Sequence, residues 1–341
     1  MDQRRIIQHK DLIEIKSLQN QLRFIDERTN RVEIRSKEVK LQYYVEKEIG
    51  EGCNGSVRLA HNIWSFEKFA VKTVKLEDTL DENGKEVDPE CEVDNEIKIM
   101  QLACHENVLK LMNVIENPER VHLFFEFMDN GDLLNYIQNS QLQRLTETEG
   151  KFATMQVTRG LQHLHGLKIS HLDLKLDNIL VQTKRGDKVY KIGDFGFSLN
   201  AEEVTSECGT DVYYPPEIFV SVVEKHSGFK RDIWSLGICI YIILSGYFPF
   251  AKSLGCLQNQ VRQGKLLFNE SAWSSTSENP KKLIRSLCCF NPQDRLTCDE
   301  ILEHKWFKDI KLMERMERIF NTKTKREEET NPVGSKKLRI R

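Results

Sequence analysis

The segment His171-Leu172-Asp173-Leu174-Lys175-Leu176-Asp177-Asn178 sets an aspartate, a lysine and an asparagine within one short loop. An aspartate so placed can orient a hydroxyl and accept its proton. Lys175 can reach an anionic group in transit, and Asn178 offers a neutral oxygen to a hard cation such as Mg2+. Further along, Asp194-Phe195-Gly196 adds a carboxylate for the same cation, with Phe195 available as an apolar plug. Upstream lies Gly50-Glu51-Gly52-Cys53-Asn54-Gly55-Ser56-Val57. Glycines let a backbone approach a bulky polyanion and aim its N–H groups at it.

A glycine string alone also fits a plain β-turn or a dinucleotide-binding loop. Two details separate the readings. This string sits between two strand-like runs rather than at the start of a helix, and Val57 is placed to lie over a base. Between the two motifs, Phe69-Ala70-Val71-Lys72-Thr73-Val74 puts a lysine in an apolar strand. Such a charge needs matching. Phosphate oxygens and a helix carboxylate would match it. Glu96 is the leading candidate and Glu92, one turn away, the alternative. Together these parts form a phosphate cradle, a base and a pair of metal ligands, the equipment for moving a phosphoryl group from ATP to a hydroxyl.

The whole chain agrees with that chemistry without specifying it. With a net charge of −2, no overall field draws the protein to nucleic acid or membrane. Nine cysteines are scattered without a Cys-x-x-Cys pair, which argues against zinc and against a disulfide framework. The N-terminal MDQRRIIQHKDL has no apolar signal core. The longest apolar run, Leu236 to Leu244, is too short to cross a bilayer. The expectation is a soluble intracellular protein.

Periodicity predicts strands at 43–49, 57–60, 69–74, 109–115 and 121–127, with one helix at 92–102. Residues 76–89 read as an exposed acidic loop. From Gly131 helices dominate, at 132–139, 146–167, 233–244, 257–263, 280–289 and 298–304. The fold class is therefore α+β, with a small β-rich lobe and a larger α-helical one. Ile15, Leu18, Leu22 and Ile25 predict a helix before the first strand. Ile310, Leu312, Met313, Met316, Ile319 and Phe320 predict another after Phe307, packed on the lobe. From Asn321 the chain is polar and reads as disordered. Its basic clusters at 323–326 and 336–341 suit either a nuclear-localisation signal or a solvated tail.

In Cys208-Gly209-Thr210-Asp211-Val212-Tyr213-Tyr214-Pro215-Pro216-Glu217, the segment offers a peptide platform. A buried Glu217 would need a partner, and Arg295 is the natural one. Asp232, opening an apolar helix, is placed to hold the backbone near His171.

These landmarks, in this order, resemble the protein kinase family over residues 43–307. The resemblance implies a bilobal fold with an N-lobe at 43–128 and a C-lobe at 129–307. It leaves 1–42 as a helical extension and 308–341 as a helix and tail. It implies ATP and Mg2+ in the cleft, with Asp173, Lys175, Lys72 and Glu96 catalytic and Asn178 and Asp194 on the metal. Ile49, the string from Gly50 to Val57, Ala70, Lys72, Glu126, Met128 and Leu180 would line the nucleotide site, with Phe125 as gatekeeper. Lys175 and Thr210 look like the serine/threonine branch, and the sub-branch looks like the calmodulin-dependent-kinase group. Glu86-Val87-Asp88-Pro89, Val93, Glu96-Ile97 and Val220-Ser221-Val222 with Asp232 resemble the DNA-damage checkpoint effector kinases that normally carry an FHA domain.

Two departures stand out. Residues 1–42 are too short for an FHA sandwich. The family's usual arginine after the histidine is Leu172, so demand for a phosphate on the activation segment should be weaker. Substrate charge can also be read. Asp132, Asp177 and Thr210 sit, by resemblance, at the peptide site, and the two carboxylates would attract an arginine N-terminal to the acceptor. Expected partners are protein substrates and an upstream kinase, without nucleic acid or membrane. Nucleus and cytoplasm both fit, the nucleus first. The rival reading is a catalytically silent pseudokinase scaffold. A small-molecule kinase is disfavoured by the platform around Thr210 and Glu217.

Overall fold

The buried and half-buried positions inside Lys68–Lys75 and the unbroken buried run inside Arg120–Glu126 mark the inner strands of a sheet. The computed structural model describes residues 33–35, 42–52, 55–76, 79–80, 86–87, 89–200, 203–204, 208–220, 226–250, 259–261, 266–320 and 338–339. The N-lobe sheet contains β1 (Glu33–Arg35), β2 (Gln42–Gly52), β3 (Gly55–Asn62), β4 (Lys68–Lys75), β7 (Leu111–Asn117) and β8 (Arg120–Glu126). The C-terminal β13 (Leu338–Arg339) closes the order β1-β2-β3-β4-β8-β7-β13. Two short strands, β5 (Thr79–Leu80) and β6 (Glu86–Val87), pair with each other ahead of α1 (Pro89–Leu102).

Three sequence expectations need correction here. The segment 76–89 is not wholly loop, because β5 and β6 form a hairpin and α1 starts at Pro89, a residue suited to the first helical turn. The extension before Tyr43 is not wholly helical, since β1 pairs antiparallel with residues 42–44. The helix expected around Ile15–Ile25 lies outside the described residues. The tail is not wholly irregular either. Leu338 and Arg339 pair in parallel with Ile115 and Glu116 on β7, an edge whose N–H and C=O groups invite a further strand. Residues 321–337 lie outside the described residues.

The C-lobe contains α2 (Leu133–Gln138), α3 (Glu147–Gly166), α4 (Pro216–Val220), α5 (Gly228–Ser245), α6 (Glu270–Trp273), α7 (Glu278–Leu287), α8 (Cys298–Leu302) and α9 (Ile310–Phe320). Of the helix expected at 257–263, all but 259–261 lies outside the described residues. Thr146 caps α3 through the Glu149 amide. α5 is buried nearly all round, as befits a helix at the centre of a lobe. It starts five residues before the expected Ile233 because the Ser227 hydroxyl caps it through the Lys230 amide. The residue that caps its C-terminus, Gly246, takes a left-handed φ of 81°.

Two strands in this lobe were not anticipated: β9 (Ile179–Lys184) and β10 (Asp187–Ile192) form an antiparallel hairpin. Its turn residues Arg185 and Gly186 both have positive φ, the twist that a tight hairpin favours. This hairpin joins the loop of Asp173 to the segment of Asp194. β11 (Glu203–Val204) pairs with β12 (His226–Ser227) near the start of α5.

One continuous apolar core runs from the inner face of the sheet through α1 into α3, α5 and α7. A second cluster, built around Tyr43, Phe69 and Phe124, closes the other face of the sheet. Leu312, Met316 and Ile319 of α9 join the main core. Arg315 of the same helix pairs with Glu149 at 2.8 Å and with Asp187 at 2.7 Å, and stands 3.8 Å from the Phe152 ring centre.

Candidate active site

β4 carries Lys72 into the interior, opposite Leu123 of β8. Its ammonium donates to both Glu96 oxygens, at 2.9 and 3.0 Å, and lies 3.6 Å from Asp194. Burial alone would lower the Lys72 pKa, but the Glu96 and Asp194 carboxylates outweigh it and hold it above the ordinary value. The ammonium thus stays charged at the point where β4, α1 and the segment after β10 converge. Nothing is described of the Glu92 side chain.

Glycine-bearing β2 and β3 pair with Gly50 opposite Val57, Glu51 opposite Ser56 and Gly52 opposite Gly55. Cys53 and Asn54 lie outside the described residues. A Cβ built on Gly50 would meet only Val57, at an ordinary 3.9 Å. Packing among the described residues therefore does not require a glycine there. Farther back, Ile49 is exposed, whereas Ala70 pairs with Phe125 across the sheet. The Glu126 side chain is taken up by the Lys110 amide at 2.8 Å and by Lys191 at 2.7 Å. Phe125 and Met128 are buried, and Leu180 packs on the main core from β9.

The loop of Asp173 is held from below. Asp232, fully buried, accepts from the amides of His171 at 2.9 Å and Leu172 at 2.8 Å, and its Oδ2 lies 3.0 Å from His165 Nε2. Burial would raise the Asp232 pKa, but these bonds and the neighbouring histidines keep it below the carboxylate norm. Leu172 and Asp194 both sit in the left-handed region, at φ 68° and 58°. That is uncommon for residues with a side chain and marks backbone held in place by its surroundings. The His171 ring lies 3.0 Å from the Gly193 carbonyl and edge-on to buried Phe195, which joins this loop to the Asp194 segment.

Asp173 sits at the centre. Its Oδ1 accepts from the Thr210 hydroxyl at 2.8 Å. Its Oδ2 lies 2.8 Å from Lys175 Nζ and accepts from Asn178 Nδ2 at 3.0 Å. Lys175 also donates to Thr210 at 2.8 Å. An aliphatic hydroxyl is therefore already seated on the carboxylate, with an ammonium beside both. Asn178 and Asp194 are the two oxygen-bearing side chains suited to a hard divalent cation that keeps waters or anionic oxygens as its other ligands. No group of three His, Cys, Asp or Glu among the described residues is arranged to hold a metal ion, so these side chains alone make no closed cage.

Asp132 caps α2 through the Asn135 amide at 2.8 Å. Asp177 is exposed, but the protein around it partly desolvates its carboxylate and raises its pKa; Lys175 opposes this, and Asp132 and Asp173 add to the rise. Glu217 and Arg295 form a two-pronged pair at 2.6 and 2.7 Å, with the guanidinium over the Trp234 ring. Sequence reading missed His165, Gly209 and Arg231. His165 had a signal in its place six residues before His171, whereas the other two gain meaning only from distant contacts.

The protein kinase domain family matches residues 43–307 of this chain. The ovarian-specific serine/threonine-protein kinase Lok of Drosophila melanogaster is 31% identical over 301 residues, covering 86% of this chain and 63% of that protein. The probable serine/threonine-protein kinase fhkE of Dictyostelium discoideum is 33% identical over 274 residues, covering 78% and 38% respectively. Calcium/calmodulin-dependent protein kinase type 1 of Macrobrachium nipponense is 31% identical over 271 residues, covering 79% and 75%. The chain thus spans less than two thirds of the length of Lok and of fhkE.

Proposed function

The chain belongs to the protein kinase family, and from that premise we propose that it transfers the γ-phosphoryl group of ATP to serine and threonine hydroxyls of proteins. The observation that carries this reading is the Thr210 hydroxyl on Asp173 with Lys175 beside both. An incoming alcohol would exchange for that contact, aligned by Asp173, which takes its proton as the bond to phosphorus forms. Lys175 would steady the transferring oxygens, and Lys72, fixed by Glu96, those of the α- and β-phosphates. Asn178 and Asp194 would hold Mg2+. Bound together, metal and nucleotide supply the phosphoryl group and offset its charge. The rest of the catalysis is positioning and preorganised charge.

Asp132 and Asp177 support a preference for arginine about three residues before the acceptor. The carboxylates already repel each other, and a guanidinium would relieve that repulsion. Leu172 supports basal activity without phosphate on Thr205 or Ser206, both outside the described residues. A role in cell-cycle or DNA-damage checkpoint signalling, downstream of another kinase, rests on the sequence resemblance. A nuclear site rests on the basic tail.

The test is phosphate transfer to an arrayed peptide library by wild type and Asp173→Asn. The reading expects Ser/Thr acceptors with arginine enriched upstream, a fall of about 10²- to 10⁴-fold in the variant, and turnover surviving phosphatase treatment. Equal transfer by both proteins would instead favour a scaffold. Phosphoproteomics after acute inhibition, with and without DNA damage, tests the checkpoint role.

A further inference from the structure

At the start of α5, two consecutive residues face two different segments. Asp232 holds the catalytic-loop amides of His171 and Leu172. Arg231, only 2% exposed, sends Nη2 to the carbonyl of Cys208 at 2.8 Å and stands 5.9 Å from the Tyr214 ring centre. Tyr214 in turn donates its hydroxyl to the Gly209 carbonyl at 3.1 Å. Gly209 takes a φ of +112°, and a Cβ there would come within 2.6 Å of the Leu172 carbonyl. The next residue is Thr210, whose hydroxyl rests on Asp173. The contacts therefore run without a break from Arg231 through Cys208, Gly209 and Thr210 to the base.

Taking a guanidinium out of water is costly, and a carbonyl acceptor with an aromatic face recovers part of that cost. An apolar side chain at 231 would avoid the cost but could not donate to the segment above. The neighbouring contact on the catalytic loop is made by Leu172, itself apolar and buried, which brings no charge. Lys175 reaches the platform at Thr210, and at its other end, at Cys208, the cation comes from α5.

We propose that Arg231 is a positioning residue that holds the platform 208–214 down on the catalytic loop and thereby sets the seat of the acceptor hydroxyl. It deepens the kinase reading above and rests on it. Asp232 and Arg231 then fix the catalytic loop and the platform from a single rigid helix end. The distance between base and acceptor would be set by α5 rather than by either loop.

The test compares wild type with Arg231→Met, which keeps apolar bulk, and Arg231→Lys, which keeps charge but loses the planar fork. The full chain is assayed with Mg2+, ATP and a serine peptide carrying arginine three residues upstream. Peptide and ATP KM, kcat, amide exchange and Tm with and without nucleotide are read. Arg231→Met is expected to raise peptide KM about tenfold and to lower kcat, with ATP KM within about twofold. Exchange should quicken at 208–214 while His171 and Leu172 stay protected, and Arg231→Lys should fall between. Unchanged peptide kinetics and exchange would overturn the proposal. So would equal losses of peptide and nucleotide binding with exchange quickened across the C-lobe, the mark of a merely structural role. If wild type itself shows no transfer, the kinase reading fails. The exchange arm then decides alone: quickening confined to 208–214 upholds Arg231's hold on the platform, and no change there ends it.

Discussion

Lys72 and Glu96 are joined through both carboxylate oxygens although they come from different elements, a strand and a helix 24 positions apart. Each is a charge in a nearly dry place, so each depends on the other. The pair also fixes where α1 stands against the sheet, and it puts the ammonium within reach of Asp194.

Glu96→Gln keeps the shape and removes the charge. Hydrogen bonds to charged groups contribute about 1.5–3 kcal/mol. The variant should therefore lose about 10- to 150-fold in kcat/KM for ATP, the larger part through placement of Lys72. Steady-state kinetics at varied ATP would check it, and a change below twofold would remove the pair from the catalytic account.

Gly209→Ala should silence transfer and spare nucleotide binding. The left-handed φ costs an L-residue about 1–3 kcal/mol, and the new methyl group has the Leu172 carbonyl in its way. Thr210 would lift from Asp173. The expected result is a kcat lowered more than about tenfold with the nucleotide-induced rise in Tm retained.

Arg295→Met leaves Glu217 largely buried without its guanidinium. Breaking such a pair from one side costs about 3–5 kcal/mol. Urea denaturation should show this, and the double variant with Glu217→Met should recover much of it. A single variant as stable as wild type would mean that water reaches Glu217.

His122 makes the N-lobe sensitive to acid. Burial, helped by Arg120, pushes its pKa down to about 4, and Nδ1 lies 3.0 Å from the Thr73 hydroxyl. Above the unfolded value of about 6.5 the ring is neutral in both states and nothing is lost. Below it the unfolded chain takes up a proton that the folded one refuses. Stability should therefore fall between about pH 6.5 and 4, by about 3 kcal/mol in all. In His122→Gln the slope of stability against pH should flatten across this window, and an unchanged slope would assign the sensitivity elsewhere.

Much of this architecture is written locally. The strand-turn-strand around Gly50–Val57, the buried lysine at 72 and the capped helix starting at Glu147 each follow from spacing within a few residues. Charge logic also reached farther, since a buried Glu217 demanded a cation and Arg295 stood in a loop able to supply one. The β9–β10 hairpin was legible in its alternation and its Arg185-Gly186 turn, but the helical bias of the lobe around it hid it. Arg231 and Gly209 are different. One gains its meaning from a carbonyl 23 residues earlier and the other from a loop brought under it by the fold, so no local pattern announces either. The partners of Arg315 were invisible for the same reason: Asp187 lies 128 residues away.

That last contact redraws the practical edge of the molecule. The family match stops at Phe307, yet α9 beyond it lays three apolar side chains on the C-lobe and reaches the tip of the hairpin that leads into Asp194. A fragment cut where the match ends would bare a greasy trench and free the hairpin from its tether. Anyone trimming this chain for crystallisation or inhibitor screening should cut beyond Phe320.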